Sequence, residues 1–171
     1  MYFFTGDEHF FHKNIIRYCN RPYLSVEEMN EVIIQNHNEI VSDNDITIHL
    51  GDFTLLKNSP EIFKIIKRLN GKHTFIQGSH DRWLQDKRYQ QIWEKKIDEY
   101  YVVCCHYAMR VWPRSHYNSW QLYGHSHGNL EPVGKQWDVG VDNNNFYPVS
   151  FDSLVEIMKN RPDNFNLVKK K

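Results

Sequence analysis

Residues 46–52 read Ile-Thr-Ile-His-Leu-Gly-Asp, and residues 2–7 read Tyr-Phe-Phe-Thr-Gly-Asp. Each is a short apolar run broken by a Gly-Asp pair. A run of this length bounded by turn residues is a buried strand, and its carboxylate falls just past the carboxyl end. A third run, 74–77, opens into Gly78-Ser79-His80-Asp81. Two helical stretches separate these strands. Residues 25–41 offer Ser25 as N-cap with Glu28 three positions on, a capping box, and put Met29, Val32, Ile33 and Ile40 on one face. Ser59 and Pro60 open the other, which carries Ile62, Phe63, Ile65, Ile66 and Leu69 and stops at Asn70-Gly71. The order βαβαβ predicts a parallel sheet. In such sheets ligands sit beyond the carboxyl ends of the strands.

Past residue 82 the pattern changes. Residues 83–96 read as a helix. Residues 97–107, 120–124, 136–142 and 147–151 read as strands, and 152–160 as a closing helix with Leu154, Val155 and Met158 on one face. There is no repeat and no low-complexity linker. The expected organisation is one domain over residues 1–160, followed by a frayed basic tail over 161–171 that ends in Lys169, Lys170 and Lys171.

Composition narrows the function. The 171 residues are 40% hydrophobic and 25% charged, which excludes a disordered chain. Lys plus Arg and Asp plus Glu are 21 each, so there is no basic excess of the kind that holds nucleic acid by phosphate neutralisation. No strong nucleic-acid partner is expected. Three cysteines are an odd count and no disulfide framework, which fits a reducing compartment. The first residues lack a basic stretch and meet acid at Asp7, unlike a signal peptide. No apolar run reaches the length of a membrane span. A cytoplasmic location, away from membranes, is the expectation. Ten His exceed ordinary structural use, and His is the commonest metal ligand.

The histidines and acids fall in order: Asp7-x-His9, Gly51-Asp52, Ser79-His80-Asp81, a lone His106, and Gly124-His125-Ser126-His127-Gly128. Carboxylates and imidazoles without paired thiolates suit divalent Mn, Fe, Zn or Ni. Residues two apart on an extended segment point the same way, so Asp7 with His9, and His125 with His127, can each grip one ion.

This series resembles the calcineurin-like metallophosphoesterases, whose motifs are D-x-H, G-D, G-N-H-D, a lone His and G-H-x-H. All five occur in register across about residues 2–151, with Ser79 in place of the Asn. The start is similar to small bacterial and phage phosphoesterases that begin D-x-H-F-x-H-x-N-I, here Asp7, His9, Phe10, His12, Asn14 and Ile15. The resemblance implies an α/β fold, an αββα four-layer sandwich of two mixed β-sheets flanked by helices. It implies a dinuclear metal-dependent phosphoesterase that hydrolyses a phosphodiester or phosphomonoester with a hydroxide activated by two divalent ions. Asp7, His9 and His127 would hold the first ion. His106, His125 and Ser79 would hold the second, and Asp52 both. His80, oriented by Asp81, would stabilise the transition state or protonate the leaving group.

A Ser hydroxyl is shorter than an Asn side chain and a poorer ligand than its carbonyl, so the second ion is expected to bind more weakly. His12, Asn14, Arg17 and Arg21 follow the first motif, and Arg110, Arg114 and His116 lie between the last two. They are candidates for substrate phosphate, since Arg forks suit it, with a solvated loop as the alternative. Trp112, Tyr117 and Trp120 either stack a base or pack the core, and packing is the preferred reading. His37, His49 and His73 read as structural. The expected substrate is small and phosphorylated or nucleotide-like. Two alternatives stand beside this: a nuclease for short strands, and a catalytically weak module that binds metal or phosphate.

Overall fold

The structure, a computed structural model, describes residues 1–84 and 90–168. Two mixed four-stranded sheets stack with helices in an α/β sandwich. The first sheet takes β1 (Tyr2–Thr5), β2 (Ile46–His49), β3 (Lys72–Phe75) and β8 (Val149–Ser150), in the order β3-β2-β1-β8. β1, β2 and β3 are parallel, and β8 is antiparallel to β1. The second takes β4 (Ile92–Ile97), β5 (Tyr100–Cys105), β6 (Trp120–Tyr123) and β7 (Gln136–Asp138), in sequence order. Here β4 and β5 form an antiparallel hairpin, and β5, β6 and β7 run parallel.

The helices form where the caps predict. Ser25 Oγ accepts the Glu28 N–H at 3.1 Å and starts α2 (Val26–Ile40). Glu28 reaches back to the N–H of Leu24, one residue before the cap. Ser59 Oγ accepts the Glu61 N–H, and α3 (Pro60–Arg68) begins on its proline. Ser150 caps α4 (Phe151–Lys159) in the same way. A short α1 (Lys13–Tyr18) follows the first Asp-x-His and was not legible in the pattern.

Two apolar clusters hold the layers. Phe4, Ile48, Leu50 and Ile76 from the first sheet meet Val102, Cys104, Trp120 and Leu122 from the second, with Leu154 and Met158 of α4. On the other face of the first sheet, Ile15, Met29, Ile33, Ile62 and Ile65 seat α1, α2 and α3. The far face of the second sheet is closed by polar stitching. Gln121 and Gln136 donate to the carbonyls of Tyr107 and Met109, and Trp112 donates its ring N–H to Ser119 O.

Three expectations change. The helix read over 83–96 is replaced at its end by β4, while residues 85–89 lie outside the described residues. Glu94, Lys95 and Lys96 look like a helix surface but belong to an edge strand, where charge discourages further pairing. Trp93 packs against the rings of Tyr2 and Phe4 from that strand. The third strand begins two residues earlier than 74. Residues 161–168 are held against the domain rather than frayed: Asn164 is buried and donates to the carbonyls of Ser115 and Ser119, and Arg161 donates to those of Pro132 and Gly134. Lys169–Lys171 lie outside the described residues. Among the described residues no helix is long and apolar enough to cross a membrane.

Leu122 is fully buried between the sheets. Leu122→Ala should cost about 2–5 kcal/mol, the usual range for such a cavity, read from urea unfolding.

Candidate metal centre

The strands end where the site begins. β1 and β2 run in parallel into Gly6-Asp7 and Gly51-Asp52. β5 and β6 run in parallel into His106 and Gly124-His125. The two edges are tied together by the Val141 N–H to Gly6 O and by the His125 N–H to Asp7 Oδ2 at 2.7 Å. Ligands from both sheets therefore converge on one rim.

They form two groups of donor atoms. Asp7, His9 and His127 bring one atom each within 4.8 Å of one another, and so do Asp52, His106 and His125. Asp52 lies between the groups, its Oδ2 3.4 Å from His106 Nε2 and 3.8 Å from His9 Nε2. Ser79 Oγ donates to that same Oδ2 at 3.0 Å, and the His80 N–H donates to Oδ1 at 2.8 Å. The ring of His80 stands at the rim, its side chain 45% exposed and its Nε2 3.9 Å from Asp52 Oδ2.

The backbone is strained where the ligands sit. Asp7, His9, Asp52, His125 and His127 all have φ between 48° and 67°. Such conformations cost on the order of 1–3 kcal/mol each and persist only when the surroundings impose them. Glycines make room: a Cβ on Gly124 would lie 2.6 Å from Asp7 Oδ2, and one on Gly78 would lie 2.3 Å from Asp52 Oδ1.

Hydrogen bonds fix the imidazoles. His106 donates from Nδ1 to Leu50 O at 2.9 Å, which turns Nε2 toward Asp52. His127 Nδ1 meets Asp142 at 2.6 Å. Asp142 in turn accepts two bonds from Arg21, whose guanidinium also donates to the carbonyls of Asp7 and Glu8. Asp142 is a site residue that the sequence reading missed. A carboxylate soon after a strand, near a Gly at 140, was the only available signal.

Burial is the main electrostatic influence. It pushes the carboxyl of Asp7 well above the ordinary range and the imidazole of His9 down. Burial pushes Asp52 up as well, but its contacts with His106 and the His80 N–H outweigh it and hold this carboxyl below the usual range. His127 moves the other way from His9: burial lowers it, but its bond to Asp142 raises it overall.

These residues fit divalent ions. Asp7 Oδ1 and His9 Nε2 are buried with no hydrogen-bond partner, a costly state for polar atoms unless something else satisfies them. The donors are carboxylate oxygens and imidazole nitrogens, the set that suits Mn, Fe, Zn or Ni. Cys19 lies near His127 and Asp142, but burial pushes its thiol up to about 11, away from the thiolate that binds metal.

Other predicted residues sit elsewhere. Asp81 does not orient His80. Its buried carboxylate accepts the N–H groups of Asp52, Phe53 and Gly78 and the ring N–H of Trp83, and so shapes the turn that carries Asp52. Arg21 is buried in its pair with Asp142 and is not open to substrate. Arg114 lies over Tyr101 and Arg110 over Phe165. Tyr101 and His106 stand five residues apart along β5, roughly 16 Å at strand rise. Arg114 and its neighbour His116 are thus remote from the rim. Trp112 and Trp120 are buried, as the packing reading holds, but Tyr117 is exposed and does not pack in the core. His12 does reach the site, with Nδ1 3.2 Å from that of His9. Asn14 and Arg17 are exposed on α1 beside it.

The remaining histidines are structural, as expected, but linked. Glu8 Oε1 lies 2.6 Å from His49 Nδ1, and His49 Nε2 lies 3.0 Å from His73 Nδ1. His73 Nε2 faces Leu69 O at 3.3 Å. Burial pushes Glu8 up to about 8 and His49 down to about 3. A neutral carboxyl donating to a neutral imidazole, which donates to the next, satisfies both rings, while Glu8 Oε2 is left buried without a partner. His37 is also buried and meets Asn70 O.

No family model matches the chain. The uncharacterized protein MJ1445 of Methanocaldococcus jannaschii is 34% identical over 165 residues, covering 92% of this chain and 90% of that protein, and the chain belongs to its family. The crystal structure of AQ665 from Aquifex aeolicus, a protein of unknown function, shares the fold, with a TM-score of 0.73 at 23% identity over 92% of this chain and 98% of that one. Yfce, a phosphoesterase from E. coli, matches at a TM-score of 0.44 and 18% identity over 81% of this chain and 75% of its own, too distant a likeness to carry weight.

Glu8 gives a pH test. Its carboxyl is raised in the folded state, so its stabilising neutral form is fully present below about pH 4.5 and is lost as pH rises through about 8. In chelator, urea unfolding of wild type should therefore show falling stability from pH 5 to 8 relative to Glu8→Gln. Parallel curves for the two proteins would contradict the neutral assignment.

Proposed function

We propose that this protein is a metal-dependent phosphoesterase of the calcineurin-like class, acting on a small phosphodiester or phosphomonoester. One observation carries the reading: two carboxylate–imidazole groups converge on a single rim with Asp52 between them. Asp7, His9 and His127 would hold one ion, His106 and His125 the other, and Asp52 both. Bound there, two divalent ions would acidify a water and polarise the phosphoryl oxygens.

The chain's own residues would do the rest. His80 stands half-exposed beside Asp52, placed to hold a proton for the leaving oxygen. Help of this kind is worth about 10²–10⁴-fold. His12, next to His9 and facing the ring of His80 at 6.3 Å between centroids, would contact a phosphoryl oxygen. Asn14 and Arg17 would extend that contact along α1. Tyr107, half-exposed, stacks edge-on with His106 and His125 and would screen that side from water.

Ser79 favours a weaker second ion. Its hydroxyl is engaged as a donor to Asp52, and the exposed His125 gives that group less shelter. Calorimetric titration with Mn²⁺ should show two affinities in wild type. Asp52→Asn should lose more metal than His127→Ala, since it alone would touch both ions. Ser79→Asn should tighten the weaker ion by about tenfold or more, as changes around metals commonly do. Equal metal retention in Asp52→Asn and wild type would refute the bridging role.

Turnover of a chromogenic phosphodiester with Mn²⁺ tests the activity itself. His80→Ala should slow esters with poor leaving groups by about 10²-fold or more and activated aryl esters far less, with metal content unchanged. A uniform loss accompanied by loss of metal would show that His80 serves the ions instead.

A further inference from the structure

The opposite end of the second sheet carries a cavity of about 530 Å³, within the range that holds small ligands. The amino ends of β5 and β6, at Tyr100 and Trp120, form its floor. The candidate metal ligands lie past the carboxyl ends of the same strands, so the cavity is a separate place.

Its lining is cationic. Lys96, Arg114, Lys135 and Lys159 face it against one carboxylate, Glu99. Two of the four cations are engaged. Lys135 Nζ donates to the carbonyls of Met158 and Arg161 and lies 3.9 Å from Asp163. Lys159 pairs with Glu156 at 2.6 Å. Among the described residues, Lys96 and Arg114 form no ion pair. Arg114 holds its guanidinium 4.3 Å above the ring of Tyr101, exposed, with donors free for an anion.

Its walls are aromatic. Tyr100 stacks on Trp120 at 4.3 Å between centroids, and Tyr117 is 71% exposed at the lip. Trp120 is buried behind the partly exposed Tyr100, so the surface open to a planar base is that of Tyr117 with the free side of Tyr100. The lip is also built to keep its shape. Arg114 and Asn118, with φ of 60° and 65°, bracket a single 3-10 turn, Ser115–Tyr117. Asn164 ties the carbonyls at both ends of that turn, and Asn118 donates to Asp163.

We propose that this cavity binds a nucleoside monophosphate, its base against Tyr117 and Tyr100 and its phosphate on Lys96 and Arg114. The proposal does not depend on the reading of the metal centre.

Equilibrium dialysis of the full chain with AMP, in excess EDTA to suppress binding through metal, tests it. AMP should bind, and adenosine and inorganic phosphate should each bind at least about tenfold more weakly, since each keeps only half of the contacts. The Lys96→Gln/Arg114→Gln double variant should weaken AMP by about tenfold or more, through lost charge-assisted bonds. Lys96→Gln alone, on an exposed strand position away from the lip, should do so to a smaller degree. Asp52→Asn should bind AMP like wild type. Absence of AMP binding in EDTA, binding unchanged in Lys96→Gln and the double variant, or binding lost in Asp52→Asn would overturn it.

Discussion

Asp52 puts a carboxylate, 1% exposed, at the meeting point of two groups of imidazoles, and much of the surrounding loop structure serves to hold it there. Burying that group without compensation would cost several kcal/mol. The compensation is local and specific. The His80 N–H and the Ser79 hydroxyl donate to it, and His106 and His9 stand opposite. Its own N–H is taken by Asp81, which also draws in Phe53 and Gly78. Asp81 thus shapes the turn so that the other carboxylate can face the rim.

The same logic explains the strained backbone. Five ligand candidates share a left-handed φ, and each is clamped by bonds that cross between elements. The Asp7 N–H reaches Gly51 O, and the His9 N–H reaches Asp52 O, so the first two loops brace each other. Arg21 donates to the carbonyls of Asp7 and Glu8 while gripping Asp142, which in turn aims His127. A buried guanidinium is stable here because a bidentate carboxylate and backbone carbonyls use its donors. The arrangement links α1, the first loop and the last ligand into one rigid unit.

What was legible in the sequence follows from what sequence patterns encode. Strands that end in Gly-Asp and helices opened by Ser caps are local features and fall where expected, and the Asp-x-His and His-x-His segments come together on one rim. Features set by tertiary contact were not legible. The strand at Ile92–Ile97 depends on pairing with β5 and on Trp93 meeting Tyr2 and Phe4, neither of which its charged sequence reveals. Asp81 sits beside His80 in the chain, yet its carboxylate turns to the backbone of another loop. Arg21 resembled a phosphate ligand because its partner lies 121 residues away. Arg114 lies only eight residues after His106 in sequence, yet it stands at the other end of the sheet.

The two halves of the centre differ in shelter, and the difference has a direction. Asp7 and His9 are almost wholly buried, with two polar atoms left unpartnered. His127 is braced by Asp142. A cation there would replace hydration with fixed ligands and would be retained. In the other group His106 is buried and fixed by Leu50 O, but His125 is exposed and Ser79 already spends its hydroxyl on Asp52. An ion on that side would keep more water and face the solvent. His80, the half-exposed ring, stands on the same open rim. Under the proposed function, a phosphoryl group would be met on the side where the protein offers fewest donor groups and where His80 is within reach. The uneven burial of the two groups thus gives the rim one open side, and under the proposed function that side is where a phosphorylated substrate would enter.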